Sequence, residues 1–282
     1  MQTPVRARRS RLANWPFALI ALALVMTAAP ALAQTSPAAA AGDRAGVGEK
    51  YWVEFSGTWW QPALAGNITS DRLGLVGSRV DFADDLALDS ARFTDFRFVV
   101  RPAKKHRIKV QYTPIQFTGS NALTRDITFG GVVYPVSLPV QSVLNWKVLR
   151  VAYEWDFFYR PRGFVGVIVE GGVTQLTASI DSFIGGASVE GQAPLVAVGA
   201  AGRVYPIRHL ALNFEATGLK LTDLKPEHVF KTMAFDVSAT YNITNYVGVS
   251  GGWRRTSTGL TLDGDSGTLN FAGLWFGGVV RY

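Results

Sequence analysis

The chain has 282 residues, of which 48% are hydrophobic and only 17% charged, with a formal net charge of +7. It contains no cysteine, which excludes disulfides, thiolate metal sites, a cysteine nucleophile and a lipid-modified N-terminal Cys. Its 29 glycines and 12% aromatic residues argue against a protein of long helices.

The N-terminus reads as a secretory signal. Arg6, Arg8, Arg9 and Arg11 form a basic segment, and Phe17 to Met26 is an apolar run of ten residues, too short to cross a bilayer as a helix. Ala31-Leu32-Ala33 supplies an A-x-A cleavage site, so residues 1–33 are expected to be removed. Without those four arginines the net charge falls from +7 to +3, a balance that gives no support to nucleic-acid binding. Residues 34–49, rich in Ala, Gly and Pro, show no apolar periodicity and read as a disordered spacer.

From residue 50 the pattern has period two, the strand period. Tyr51, Val53, Phe55, Gly57 and Trp59 alternate with Trp52, Glu54, Ser56 and Thr58, and Phe96, Phe98 and Val100 alternate with Asp95, Arg97 and Arg101. Ten strands are expected, near 51–61, 92–101, 107–118, 142–157, 164–180, 194–205, 210–221, 231–242, 247–258 and 268–282. Short links (102–106, 159–163, 206–210, 243–246) alternate with longer ones (62–91, 119–141, 182–193, 222–230, 259–267). That alternation is the mark of an antiparallel meander crossing a membrane, with tight turns on one side and longer loops on the other. The segment 119–141, with Gly130-Gly131 as a turn, fits either a loop hairpin or extra wall, so eight or twelve strands are the alternatives.

One face of each strand is almost free of charge. The other carries six acids (Glu54, Asp95, Glu154, Glu170, Glu215, Asp236) and eight bases (Arg97, Arg101, Arg107, Lys109, Arg150, Arg203, Arg254, Arg281). A soluble sandwich turns such charges outward, whereas a membrane barrel turns them into its lumen. In a narrow barrel they are expected to form a salt-bridged plug, with a thin charged channel as the alternative.

The final run WFGGVVRY resembles the C-terminal signature of bacterial outer-membrane barrels: terminal aromatic Tyr282, apolar Val280 two before it, and Gly277 five before the end. The polar residue of that signature is Trp275 here. Together with the signal segment, residues 50–282 resemble the class of small outer-membrane β-barrels of OmpA-type or omptin size. The resemblance implies an all-β, antiparallel up-and-down barrel in the outer membrane of a diderm bacterium, monomeric. It also implies lipid and lipopolysaccharide as surroundings, and the barrel-assembly machinery and periplasmic chaperones as assembly partners. Tyr51, Trp52, Trp59, Trp60, Tyr153, Trp155, Tyr159, Tyr205, Tyr241, Tyr246, Trp253 and Tyr282 lie mostly near segment ends, where interfacial aromatic girdles belong.

Enzymatic relatives suggest where to look for chemistry. Omptin-like proteases pair aspartates and an Asp/His couple at the outer mouth; the counterparts here are Asp84-Asp85 and Glu227-His228. Adjacent aspartates on an extended segment point to opposite sides, and the acid beside the histidine is a Glu, so a solvated acidic loop is the better reading. The H-x-S pair of lipid A deacylase-like barrels is missing at His106, His209 and His228. The aspartates of 81–89 lack a D-x-D-x-D-G calcium loop, and Asp263 and Asp265 fit a hairpin turn. No catalytic residue, metal or cofactor is therefore expected. The reading is a non-enzymatic structural or surface-interacting protein acting through loops 62–91 and 119–141, with a narrow pore or a surface hydrolase as alternatives.

Overall fold

The computed structural model describes residues 45–69, 78–88, 92–222, 229–262 and 265–282. The expected signal segment 1–33 and most of the 34–49 spacer lie outside them. The chain forms β1 (Val53–Thr69), β2 (Val80–Asp81), β3 (Phe93–Ala103), β4 (His106–Ala122), β5 (Ile127–Phe129), β6 (Val132–Tyr134), β7 (Pro139–Arg160), β8 (Gly163–Ser182), β9 (Gly185–Ile207), β10 (Leu210–Thr222), β11 (Val229–Asn242), β12 (Val247–Leu262) and β13 (Asp265–Arg281). Ten of these (β1, β3, β4 and β7 to β13) pair antiparallel in sequence order, and β13 pairs with β1 to close the wall. The ten expected strands are all present, so the eight- and twelve-strand alternatives fall. The segment around Gly130-Gly131 is not wall: β5 and β6 form a separate two-stranded hairpin.

The strands are longer than the sequence suggests, reaching 22 residues in β7 and 23 in β9. The expected loops shorten accordingly: β1 takes residues 62–69 of the 62–91 loop, and β4 and β7 take 119–122 and 139–141 of the 119–141 loop. The 182–193 segment is paired to its tip, with Ser182 opposite Gly185 and only Phe183 and Ile184 between them. Likewise β12 runs to Leu262 and β13 resumes at Asp265. Polar and glycine-rich residues read as loop because the wall here has left the apolar zone, where neither face needs hydrophobic side chains. The short links 104–105, 161–162, 208–209 and 243–246 mark one end of the barrel, the turn end; the opposite end is the loop end.

The outer surface is apolar where the wall is uniform. On β10 the outward positions from Leu210 to Gly218 carry no charge, nor do those from Met233 to Tyr241 on β11 or from Leu149 to Phe157 on β7. Each such span is nine residues, close to the nine to eleven tilted residues that cross a bilayer. Trp52, Trp59, Trp155, Tyr241, Tyr246, Trp253 and Tyr282 stand on this exposed surface. Trp60, Tyr205 and Tyr51 do not: they are buried inside, and Tyr159 is half-buried. For these four the girdle reading is replaced by interior packing.

The interior has two halves. Toward the loop end, inward residues are mostly apolar: Trp60, Leu64, Phe93, Phe117, Leu144, Trp146 and Phe271 form one cluster, with Trp146 stacked on Phe271 at 4.5 Å. Residues 80–88 and 123–138 fold down onto it, burying Val80, Phe82, Leu86, Leu88, Ile127, Phe129 and Tyr134. The β5–β6 hairpin depends on Gly130 and Gly131, whose φ values of 59° and 82° are those of a two-residue primed turn. Substituting Gly131 by Val forces a β-branched residue into the left-handed region, at about 1–2 kcal/mol. Hydrogen exchange should then quicken across 123–138 while the wall strands keep their protection.

Candidate functional site in the barrel interior

The turn-end half of the lumen is charged. It is built by inward positions of β1, β3, β4 and β7 to β13, and it begins with a segment that precedes the wall. Residues 45–50 form a strap across the turn end. Gly46 N–H donates to Pro161 O (3.0 Å), Val47 N–H to Arg208 O (2.7 Å) and Gly48 N–H to the Asn245 side-chain oxygen (3.1 Å). Gly46 lies flat on the Tyr205 ring, where a Cβ would fall 2.3 Å from Cδ1. The strap delivers Glu49, 1% exposed, into the lumen.

The Glu49 carboxylate meets Arg101, Arg107 and Arg203, each at 3.4 Å, and accepts the Tyr205 hydroxyl at 3.0 Å. Arg107 also pairs with Glu154 (2.6 Å) and Asp156, and it lies over the Phe164 ring, 3.9 Å from its centre. Lys109 bridges Glu154 and Glu215, both at 2.6 Å, which joins this cluster to a second one at mid-height. There Arg254 donates to Asp95 (2.8 Å) and Asp236 (2.7 Å), sandwiched between the Trp60 and Trp275 rings. Arg97 reaches Glu215 at 3.6 Å and Gln111 at 3.0 Å. Asp95 further accepts Gln111 and Thr113. At the closing seam Arg281 pairs with Glu54 at 2.5 Å and donates to Asn242.

All fourteen charges placed in the lumen from sequence therefore point inward. Glu54, Asp95, Arg97, Glu154, Arg203, Glu215, Asp236 and Arg254 join ion pairs. Glu170 accepts a hydrogen bond from Thr217 at 3.0 Å, and Arg150 lines a small cavity beside Trp60 and Trp146. Sequence reasoning missed Glu49, which it assigned to the spacer, and left Asp156 out of its inward acids although alternation sets it on the face of Glu154. With these two, the inward charges among the described residues number eight acids and eight bases. Two cavities in this half are about 100 Å³ and about 30 Å³.

The other sequence candidates serve structural ends. Asp85 accepts Asp81 N–H (2.9 Å) and forms a two-point pair with Arg125, tying the 80–88 segment to the hairpin loop. Asp81 caps its own turn through Ala83 and Asp84 N–H, and Asp84 is exposed. His106 contacts the Tyr153 hydroxyl and His209 the Asn242 carbonyl, both at the turn end. Glu227, His228 and Asp263 lie outside the described residues. In the hairpin, burial and the nearby Asp181 push the Tyr134 hydroxyl up to about 12, so it stays a donor to Ile180 O.

Of the terminal signature, Gly277 meets a close approach: a Cβ would fall 2.2 Å from Gly57 O across the seam. Val280 and Tyr282 face outward, and the Tyr282 carbonyl accepts Trp52 and Val53 N–H.

Replacing Glu49 by Gln keeps the shape of the strap but leaves the buried Arg101 and Arg107 and the half-buried Arg203 short of a charge. Breaking a buried pair from one side costs roughly 3–5 kcal/mol. The urea midpoint of the folded barrel should fall for Glu49→Gln; an unchanged midpoint would show that the strap adds nothing to the wall.

No protein-family model matches the chain, and no curated protein matches it in sequence. Among solved structures it is similar to the outer membrane protease OmpT from Escherichia coli, at 11% identity over 81% of this chain and 97% of that one, with a TM-score of 0.51. Weaker likenesses are to Ail, the attachment invasion locus protein of Yersinia pestis (11% identity, 79% and 99% covered, TM-score 0.35), and to the toluene transporter TodX of P. putida (6% identity, 82% and 90% covered, TM-score 0.36). At such identities likeness speaks to fold alone. The closed, ten-stranded antiparallel wall is the fold of a small outer-membrane β-barrel.

Proposed function

We propose that this chain is an integral outer-membrane protein with its turn end in the periplasm. Its role is structural or surface-interacting rather than enzymatic. The observation that carries the reading is the filling of the interior by the described residues: an apolar cap in one half and a neutral ionic network in the other, with cavities of about 100 Å³ and about 30 Å³ among the charges. The uncharged nine-residue spans on the outer wall support insertion in lipid. Signal-dependent export, assembly by the barrel-assembly machinery with periplasmic chaperones, and a monomeric state in lipopolysaccharide-bearing lipid belong to the same proposal.

The surface available to partners is smaller than the two loops expected from sequence, because much of 80–88 and 123–138 is buried in the cap. What remains exposed at the loop end includes Phe183, Ile184, Val133 and Val136. The hydrolase alternative loses support from Asp85, whose carboxylate is engaged by Arg125 and the Asp81 N–H.

Two measurements test this. The folded protein should migrate differently in gels before and after boiling; identical mobility argues against a membrane barrel. In planar bilayers it should show no conductance above leak. Steady unitary currents would favour the narrow pore instead.

A further inference from the structure

The turn end shows side-chain charge of one sign. Three links that follow one another around the rim hold cations: Lys104 and Lys105 where β3 meets β4, Arg160 and Arg162 where β7 meets β8, and Arg208 where β9 meets β10. All five are exposed, as is Lys50 on the strap. Among the described residues no acidic side chain is exposed at this end: Glu49 and Asp156 are buried, and the 243–246 link is uncharged. Each cationic link also has a proline in or beside it, Pro102, Pro161 or Pro206, and the 243–246 link has none. Proline fixes φ at about −65°, so these links are stiff. The strap stiffens two of them further by bonding to Pro161 O and Arg208 O, and Arg160 lies over the Phe158 ring, 5.0 Å from its centre. Successive links are two strands apart, so the cations stand at intervals of about 10 Å along an arc of about 20 Å.

We propose that this arc binds an extended acidic segment of a periplasmic partner protein, with one carboxylate side chain at each cationic link. The proposal rests on the reading that puts the turn end in the periplasm. A merely solvated charge gains nothing from a stiff support. A binding site does, because less freedom is lost when the partner docks. A polyproline II segment repeats every three residues at about 3.1 Å each, which sets every third side chain on one face about 9 Å apart and matches the spacing of the links. The chain's own residues 34–44 do not supply such a segment, since Asp43 is offset by Arg44. A second copy presents the same positive rim and is repelled. Phospholipid headgroups reach the rim from its lipid side but not Lys50, which lies on the strap across the mouth.

The test uses the full chain folded in phosphatidylcholine nanodiscs, which leave both ends of the barrel open to solution. Three dye-labelled peptides serve as probes: Glu-Pro-Pro repeated three times, the same composition with its glutamates adjacent, and Gln-Pro-Pro repeated three times. The wild type should bind the spaced acidic peptide over both others, and less tightly as salt rises. K104Q/K105Q/R160Q should bind it about tenfold more weakly, the size of three exposed ion pairs lost together. K231Q, at the loop end, should match the wild type. Equal binding by the triple variant and wild type would overturn the site, and equal binding of the clustered peptide would overturn the extended segment. In nanodiscs doped with phosphatidylglycerol the spaced peptide should still bind; its displacement by that lipid would assign the arc to phospholipid instead. The periplasmic reading is tested apart from the site. The chain has no cysteine, so a membrane-impermeant maleimide should label A103C only in cells whose outer membrane has been permeabilised. Labelling of intact cells would overturn the orientation. The triple variant alters only exposed side chains, and heat-modifiable mobility verifies that it has folded.

Discussion

The β1–β13 seam is the interaction on which the rest depends. Sixteen register pairs, from Glu54–Arg281 to Thr69–Ser266, turn an open sheet into a ring. A sheet edge in hydrocarbon leaves N–H and C=O groups unpaired at several kcal/mol each, so a membrane wall of strands has to close. Closure creates an inside, and with it the requirement that every second residue fill a confined space. The seam meets both demands at once. Trp59 and Phe276 cover it on the lipid side, and Glu54 and Arg281 neutralise each other on the lumen side.

Filling the interior follows two chemistries, divided by height. At the loop end, the aromatic cluster around Phe271 is capped by segments that bring their own apolar side chains. At the turn end, charge is balanced eight against eight. Buried ion pairs are weak sources of net stability, because desolvation offsets their attraction. A membrane barrel has little choice of exterior, however, so its polar residues must be inside, and pairing is what makes them tolerable there. Lys109 lets the two ionic clusters act as one network rather than as separate pairs.

Strand number and the facing of most wall residues were legible in sequence, because period-two alternation survives in the ten wall segments; Tyr51, Trp60 and Tyr205, read as outer girdle, pack inside instead. Less legible was where each strand stops. Residues 182–193 are polar and glycine-rich, yet they pair to the tip, since hydrogen-bonded wall continues past the zone that demands apolar side chains. The division of the lumen was also hidden: Trp60, Phe117 and Phe271 read as ordinary alternation, and nothing local says that loops will descend upon them. Glu49 was the hardest case. Its partners come from β3, β4 and β9, brought together only by closure, so no pattern near residue 49 announces its place. The uneven total of six acids and eight bases was the one available hint, since a confined lumen left two charges in excess was missing carboxylates from somewhere.

The strap has a mechanical consequence as well. A closed ring of strands can flatten into an ellipse without breaking any ladder hydrogen bond, because neighbouring strands hinge on one another. Residues 46–49 bond to the links at 161, 208 and 245, and through Arg101 to β3, so they run as a chord between distant points of the rim. A chord of fixed length forbids that flattening at its own level. The cross-section of the turn end is held round, and the spacing of the inward charges above it is held with it.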